Sequence, residues 1–194
     1  MYVAIPRTGS KSMCRWLMDH YDGDWVGGHH DWQVPDDCRD YLIFTVVRNP
    51  YEIAASGWFF EPVIKDPNAL PKPKTYAEQC RNWAAPSWWP GGQKGYVERS
   101  GATQILFFEH LTGCLNELPF VDRTKVPPFP RLNAGGFRPS GTFFDLMQPE
   151  DEAIVWNNSK EDFEYFGYHR YDCGAPDGNH PLRRTGSNGV RAPG

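Results

Sequence analysis

Residues 41–47 (YLIFTVV) form an unbroken run of aliphatic, aromatic and β-branched side chains. A strand with one wet face alternates apolar and polar residues. This run does not alternate, so it predicts a strand covered on both faces, as inside a parallel sheet. Asn49 and Pro50 follow almost at once and supply an N-cap and a first-turn proline for a helix through about Phe60. A buried strand that feeds a helix is the repeating unit of an α/β fold.

The same unit recurs at the N-terminus. Residues 2–5 (YVAI) are an apolar run stopped by Pro6, and Met13, Trp16, Leu17 and Tyr21 then recur at helical spacing. Residues 103–108 (TQILFF) read as a third strand. Pro149 starts a helix that runs to Phe166, on which Ile154, Val155, Asn158, Phe163 and Phe166 give only a rough apolar face. Pro62, Pro67, Pro71 and Pro73 rule out a helix across 61–74, Thr75 can cap one that runs to about Trp83, and residues 86–92 read as a loop. Residues 22–40 and 118–139 carry little periodicity. The expected fold is α/β, with a small parallel β-sheet flanked by helices in one domain over residues 1–171. The Gly-, Pro- and Arg-rich residues 172–194 bury too little apolar surface to offset the entropy of ordering, which predicts a tail.

Bulk properties narrow the function. A net charge of −4 provides no overall positive field for a nucleic-acid backbone, so nucleic acid is not an expected partner. The five cysteines are scattered, with no close pair of the kind a zinc or redox site uses, which points to reduced thiols and no metal site. No run of about 18 apolar residues and no basic, cleavable leader is visible, so a cytoplasmic protein without a membrane anchor is expected.

The first loop carries the chemistry. Ile5-Pro6-Arg7-Thr8-Gly9-Ser10-Lys11-Ser12 leaves a strand and opens a helix, where unpaired N–H groups and the positive end of the helix dipole favour an anion. Arg7 and Lys11 add cations; Thr8, Ser10 and Ser12 add hydroxyls. The nucleotide-binding pattern GxxxxGK[ST] is imitated by Lys11-Ser12 but fails where Ile5 and Ser10 replace its glycines. Arg48 sits at the tip of the second strand, beside Arg7 if the sheet is parallel, and Ser56 stands about two turns into the next helix. Two cationic strand tips suit a ligand with two anionic groups. A capped helix with incidental basic residues, and a surface arginine with a helix-packing serine, remain the plain alternatives.

In these residues the chain resembles the sulfotransferases that use 3′-phosphoadenosine-5′-phosphosulfate (PAPS), particularly their carbohydrate and bacterial branch. Pro6-Arg7-Thr8-Gly9-Ser10-Lys11-Ser12 matches the family's 5′-phosphosulfate loop, P-[KR]-T-[AG]-[ST]-x-[ST]. Arg48-Asn49-Pro50-Tyr51 with Ser56 matches its 3′-phosphate motif. Weaker likenesses are Phe107-Phe108-Glu109-His110-Leu111, Arg131-Leu132-Asn133 and the segment from Asp162 to Tyr168. The resemblance implies a three-layer fold like that of P-loop NTPases, with PAPS as co-substrate, adenosine 3′,5′-bisphosphate as product and no required metal. It places Arg7, Thr8, Gly9, Ser10, Lys11 and Ser12 around the phosphosulfate, and Arg48 and Ser56 around the 3′-phosphate. The family more often has lysine where Arg7 stands, and arginine cannot give up a proton at neutral pH, so Lys11 becomes the candidate proton donor. His30 or His29 is the candidate base for a small-molecule or glycan hydroxyl, with Asp31 to orient the ring and Glu61 or Glu109 as substitutes. Trp58, Phe59, Trp83, Trp88 and Trp89 are candidates for stacking on the adenine or a sugar. A divergent P-loop nucleotide kinase and a non-catalytic adenosine bisphosphate binder are the competing readings.

Overall fold

The computed structural model describes residues 1–28, 31–64, 91–132 and 147–171. Within them the chain is α/β, and it divides into two compact units. Among the described residues no helix is long and apolar enough to cross a membrane.

The first unit contains residues 1–48 and 95–134. Strands β1 (Tyr2–Val3), β2 (Phe44–Val47) and β3 (Gln104–Phe107) form a parallel sheet in the order β1-β2-β3. Tyr2 stands opposite Phe44, and Val47 opposite Phe107, so β2 is the central strand. All four residues of β2 are buried, as the unbroken apolar run requires. The strand is shorter than that run because Tyr41 is exposed and Leu42 only half-buried. Helix α1 (Ser10–His20) lies between β1 and β2 in the chain. Its Met13 and Trp16 join Phe44, Val46, Leu106, Leu111, Leu115 and Leu118 in one apolar core. Trp16 also donates from its indole nitrogen to the Pro127 carbonyl at 3.2 Å, which ties the irregular chain after residue 121 to α1. Residues 22–40 are irregular where described, apart from a 3-10 turn at Asp36–Cys38.

The second unit contains residues 49–94 and 135–185. Helix α2 (Pro50–Ile64) begins as expected, with Asn49 Oδ1 accepting from the Tyr51 N–H at 2.9 Å. It does not stop before Pro62. Proline holds φ near the helical value, and this close to the helix end its missing N–H removes one bond from the final turn. Helix α3 (Gly92–Ser100), whose first turn belongs to this unit, was not anticipated. Its glycines disfavour helix, but the Asp162 carboxylate accepts from the Gln93 and Lys94 N–H groups at 3.0 and 2.8 Å and caps it from a distance. No local pattern could reveal that cap. After the short helix α4 (Leu111–Cys114) of the first unit, helix α5 (Pro149–Phe166) has the expected bounds. A reciprocal capping box of Gln148 and Asp151 starts it, and it bends at Ser159. The Tyr51 and Phe163 rings pack 4.8 Å apart in the core of this unit. The expected helix after Thr75 and the tail at 172–194 lie outside the described residues.

Candidate functional site: a cationic edge of the parallel sheet

The loop from β1 to α1 turns on two left-handed residues. Arg7 has φ +65° and Gly9 φ +83°. For arginine this conformation costs about 1 kcal/mol, and it turns the chain so that α1 starts at Ser10. Thr8 is buried, and its hydroxyl donates to the Ile5 carbonyl at 2.9 Å, bracing the loop from within. A helix leaves its first N–H groups outside its own hydrogen-bond ladder, and Gly9 at the N-cap has no side chain to accept from them. Ser10 and Ser12 are buried in this first turn, while Lys11 between them is exposed. Ser12 Oγ accepts from the Leu132 N–H at 3.0 Å. The late segment Arg131-Leu132 is therefore brought onto the anion loop.

The tips of all three strands meet here. Arg48, only 6% exposed, follows β2 and donates from Nη1 to the Arg7 carbonyl at 3.1 Å. Phe108 follows β3, and the Arg48 guanidinium carbon lies 4.2 Å from the centre of its ring. The same ring touches the loop, since a Cβ placed on Gly9 would lie 2.7 Å from Phe108 Cε2. A side chain at position 9 would collide with the ring. Burial, and then the neighbouring Arg48 charge, pull the Arg7 guanidinium down from its ordinary value to about 10. Arg7 remains charged at neutral pH. Two cations and the positive end of a helix thus occupy one edge of the sheet, at the carboxyl ends of its strands, where open α/β sheets take their ligands.

Arg7, Thr8, Gly9, Ser10, Lys11, Ser12 and Arg48 are thus parts of one structural element. Ser56 lies in the second unit, half-buried on α2. His29 and His30 lie outside the described residues, as do Trp83, Trp88 and Trp89. Asp31 is exposed and accepts from the Gln33 N–H at 2.9 Å. Glu109 is half-buried in the 3-10 turn Phe108–His110. Sequence reasoning assigned no separate role to Phe108. The available signal was its position, one residue beyond a strand whose neighbour β2 leads into Arg48, with the anion loop at the tip of the next strand along. Comparison of the chain with protein-family models, curated proteins and solved structures gives no match.

Proposed function

We propose that this chain is a sulfotransferase that moves a sulfuryl group from PAPS to a hydroxyl acceptor, a carbohydrate hydroxyl being favoured by the sequence resemblance. The observation that carries the reading is the meeting of Arg7 and Arg48 at the tips of adjacent parallel strands, beside the start of α1. A ligand with separated anionic groups suits that edge, and the motif containing Arg48 and Ser56 makes the second group a 3′-phosphate. In this reading Arg7 and the first N–H groups of α1 hold the 5′-phosphosulfate and stabilise the charge that develops on its leaving oxygen. Lys11, in the first turn and open to solvent, supplies a proton to that oxygen. His30, or His29, takes the proton of the acceptor hydroxyl as its oxygen bonds to sulfur. The sulfur–oxygen bond to the nucleotide breaks, and adenosine 3′,5′-bisphosphate leaves.

Thermal unfolding separates this reading from a nucleotide kinase. Adenosine 3′,5′-bisphosphate is expected to raise the melting temperature without magnesium, and labelled PAPS to transfer its sulfur to one member of a hydroxyl acceptor panel. A response to Mg-ATP alone would refute the assignment. With an acceptor in hand, His30→Ala and His29→Ala locate the base: its loss slows transfer and leaves nucleotide binding intact.

A further inference from the structure

We infer that Phe108 is a positioning residue for Arg48: its ring holds the guanidinium against the anion loop and so fixes the distance between the two cationic strand tips. The identity of the ligand rests on the reading above, whereas the positioning rests on geometry alone.

Two ring contacts and the register of β3 fix this side chain. On its face lies the Arg48 guanidinium, 4.2 Å from the ring centre, within the range where a cation is attracted to the π cloud. Its edge abuts Gly9, whose missing Cβ would stand 2.7 Å from Cε2 and 3.2 Å from Cδ2. Its root follows directly from Phe107 of β3, which pairs with Val47, the residue before Arg48. Phe108 also packs on the core formed by Met13, Trp16 and Leu106. The ring is thus anchored by the sheet and in turn anchors the loop and the arginine. An arginine side chain has many rotamers to lose on binding a phosphate. One already held by an aromatic face and by the Arg7 carbonyl loses fewer, so the site is organised before the ligand arrives.

Phe108→Leu fills similar space without a π face, and Phe108→Tyr keeps the face. In the ligand-free protein, the guanidinium resonances of Arg48, assigned with Arg48→Lys, should be shifted upfield by the ring current. That shift is expected to persist in the tyrosine variant and vanish in the leucine variant. In calorimetry, the preference for adenosine 3′,5′-bisphosphate over adenosine 5′-monophosphate should fall about tenfold in Phe108→Leu and stay near its original value in Phe108→Tyr. Should the leucine variant not fold, Phe108→Met replaces it in both measurements. Unchanged discrimination in Phe108→Leu, or an equal loss in Phe108→Tyr, overturns the inference. If the unaltered protein binds neither nucleotide, the proposed ligand is wrong, and the ring-current shift alone decides whether Phe108 holds Arg48: its presence supports the inference and its absence overturns it.

Discussion

Arg48 and Arg170 each lie over an aromatic ring, Phe108 at 4.2 Å and Trp156 at 5.3 Å, but their surroundings are of opposite kinds. Arg170 grips both carboxylate oxygens of buried Glu152, at 2.9 and 2.8 Å, in the bidentate geometry that arginine forms best. Tyr51 donates its hydroxyl proton to the same carboxylate at 2.6 Å and accepts from the Tyr171 N–H at 3.2 Å. Charge is matched there, and the cluster ties the chain after α5 to the start of α2. Arg48 instead donates to the backbone of a second cation, Arg7, and helps to lower that cation's affinity for its proton. Arg170 thus lies against a carboxylate, and Arg48 against a second arginine and an aromatic face. The first arrangement stabilises the folded chain; the second sets two guanidinium groups together at the edge of the sheet where open α/β sheets take their ligands.

Alanine at each position separates these roles. Arg48→Ala should weaken adenosine 3′,5′-bisphosphate binding by about a hundredfold, the scale of a lost charge-assisted contact to phosphate. Arg170→Ala should act on stability instead. Binding stays within about twofold, while unfolding in urea becomes easier by about 2 kcal/mol, because Glu152 is left buried without its cation. That loss falls short of a fully buried pair because water reaches Arg170. Comparable loss of binding in the two variants would break the distinction.

Two glycines sharpen it. Gly9 in the anion loop and Gly167 at the end of α5 share the left-handed conformation, at φ +83° and +68°. A Cβ at Gly167 would meet nothing within 4 Å, whereas one at Gly9 would meet the Phe108 ring. Gly167→Ala therefore carries only the backbone cost, about 1 kcal/mol. Gly9→Ala adds a steric term for a total of about 2 kcal/mol, and it should also weaken nucleotide binding by shifting the ring that holds Arg48. Equal destabilisation of the two variants, measured by urea unfolding, would mean that the ring yields freely and is no anchor.

These contrasts also mark where sequence reasoning succeeds. β2 was legible because burial on both faces leaves Phe44–Val47 without an alternating polar face, although the apolar run begins earlier at exposed Tyr41. The starts of α2 and α5 were legible because Asn49, Pro50 and Pro149 act on their immediate neighbours. The anion loop was legible as a list of residue types around a strand-to-helix turn. Its geometry was not, since the left-handed Arg7 depends on the whole turn rather than on arginine's own preference. α3 was missed because its cap, Asp162, lies far along the chain. Phe108 was read as one member of a weak motif, because a ring's contact with a guanidinium from another strand exists only after the sheet has set the register.

pH gives the last test, since each unit holds a titratable group that burial displaces toward its neutral form. In the first, Arg7 is held at about 10. Anion binding favours its charged form, so nucleotide affinity should stay level from about pH 7, where the ligand's phosphates are largely doubly ionised, to about pH 9, and fall as pH passes 10. In the second, burial lifts the Asp162 carboxyl from 3.8 to about 6, outweighing the N–H groups of Lys94 and Gln93 that favour its charged form. The folded protein thus holds this proton more tightly than the unfolded chain. The resulting stabilisation is complete below about pH 3.8 and is lost as pH rises through about 6. Relative to Asp162→Asn, the unaltered protein should lose about 1 kcal/mol of unfolding free energy between pH 5 and 7. A flat difference would mean that the N–H groups at the start of α3 hold the carboxylate charged throughout, and that burial does not dominate at this cap.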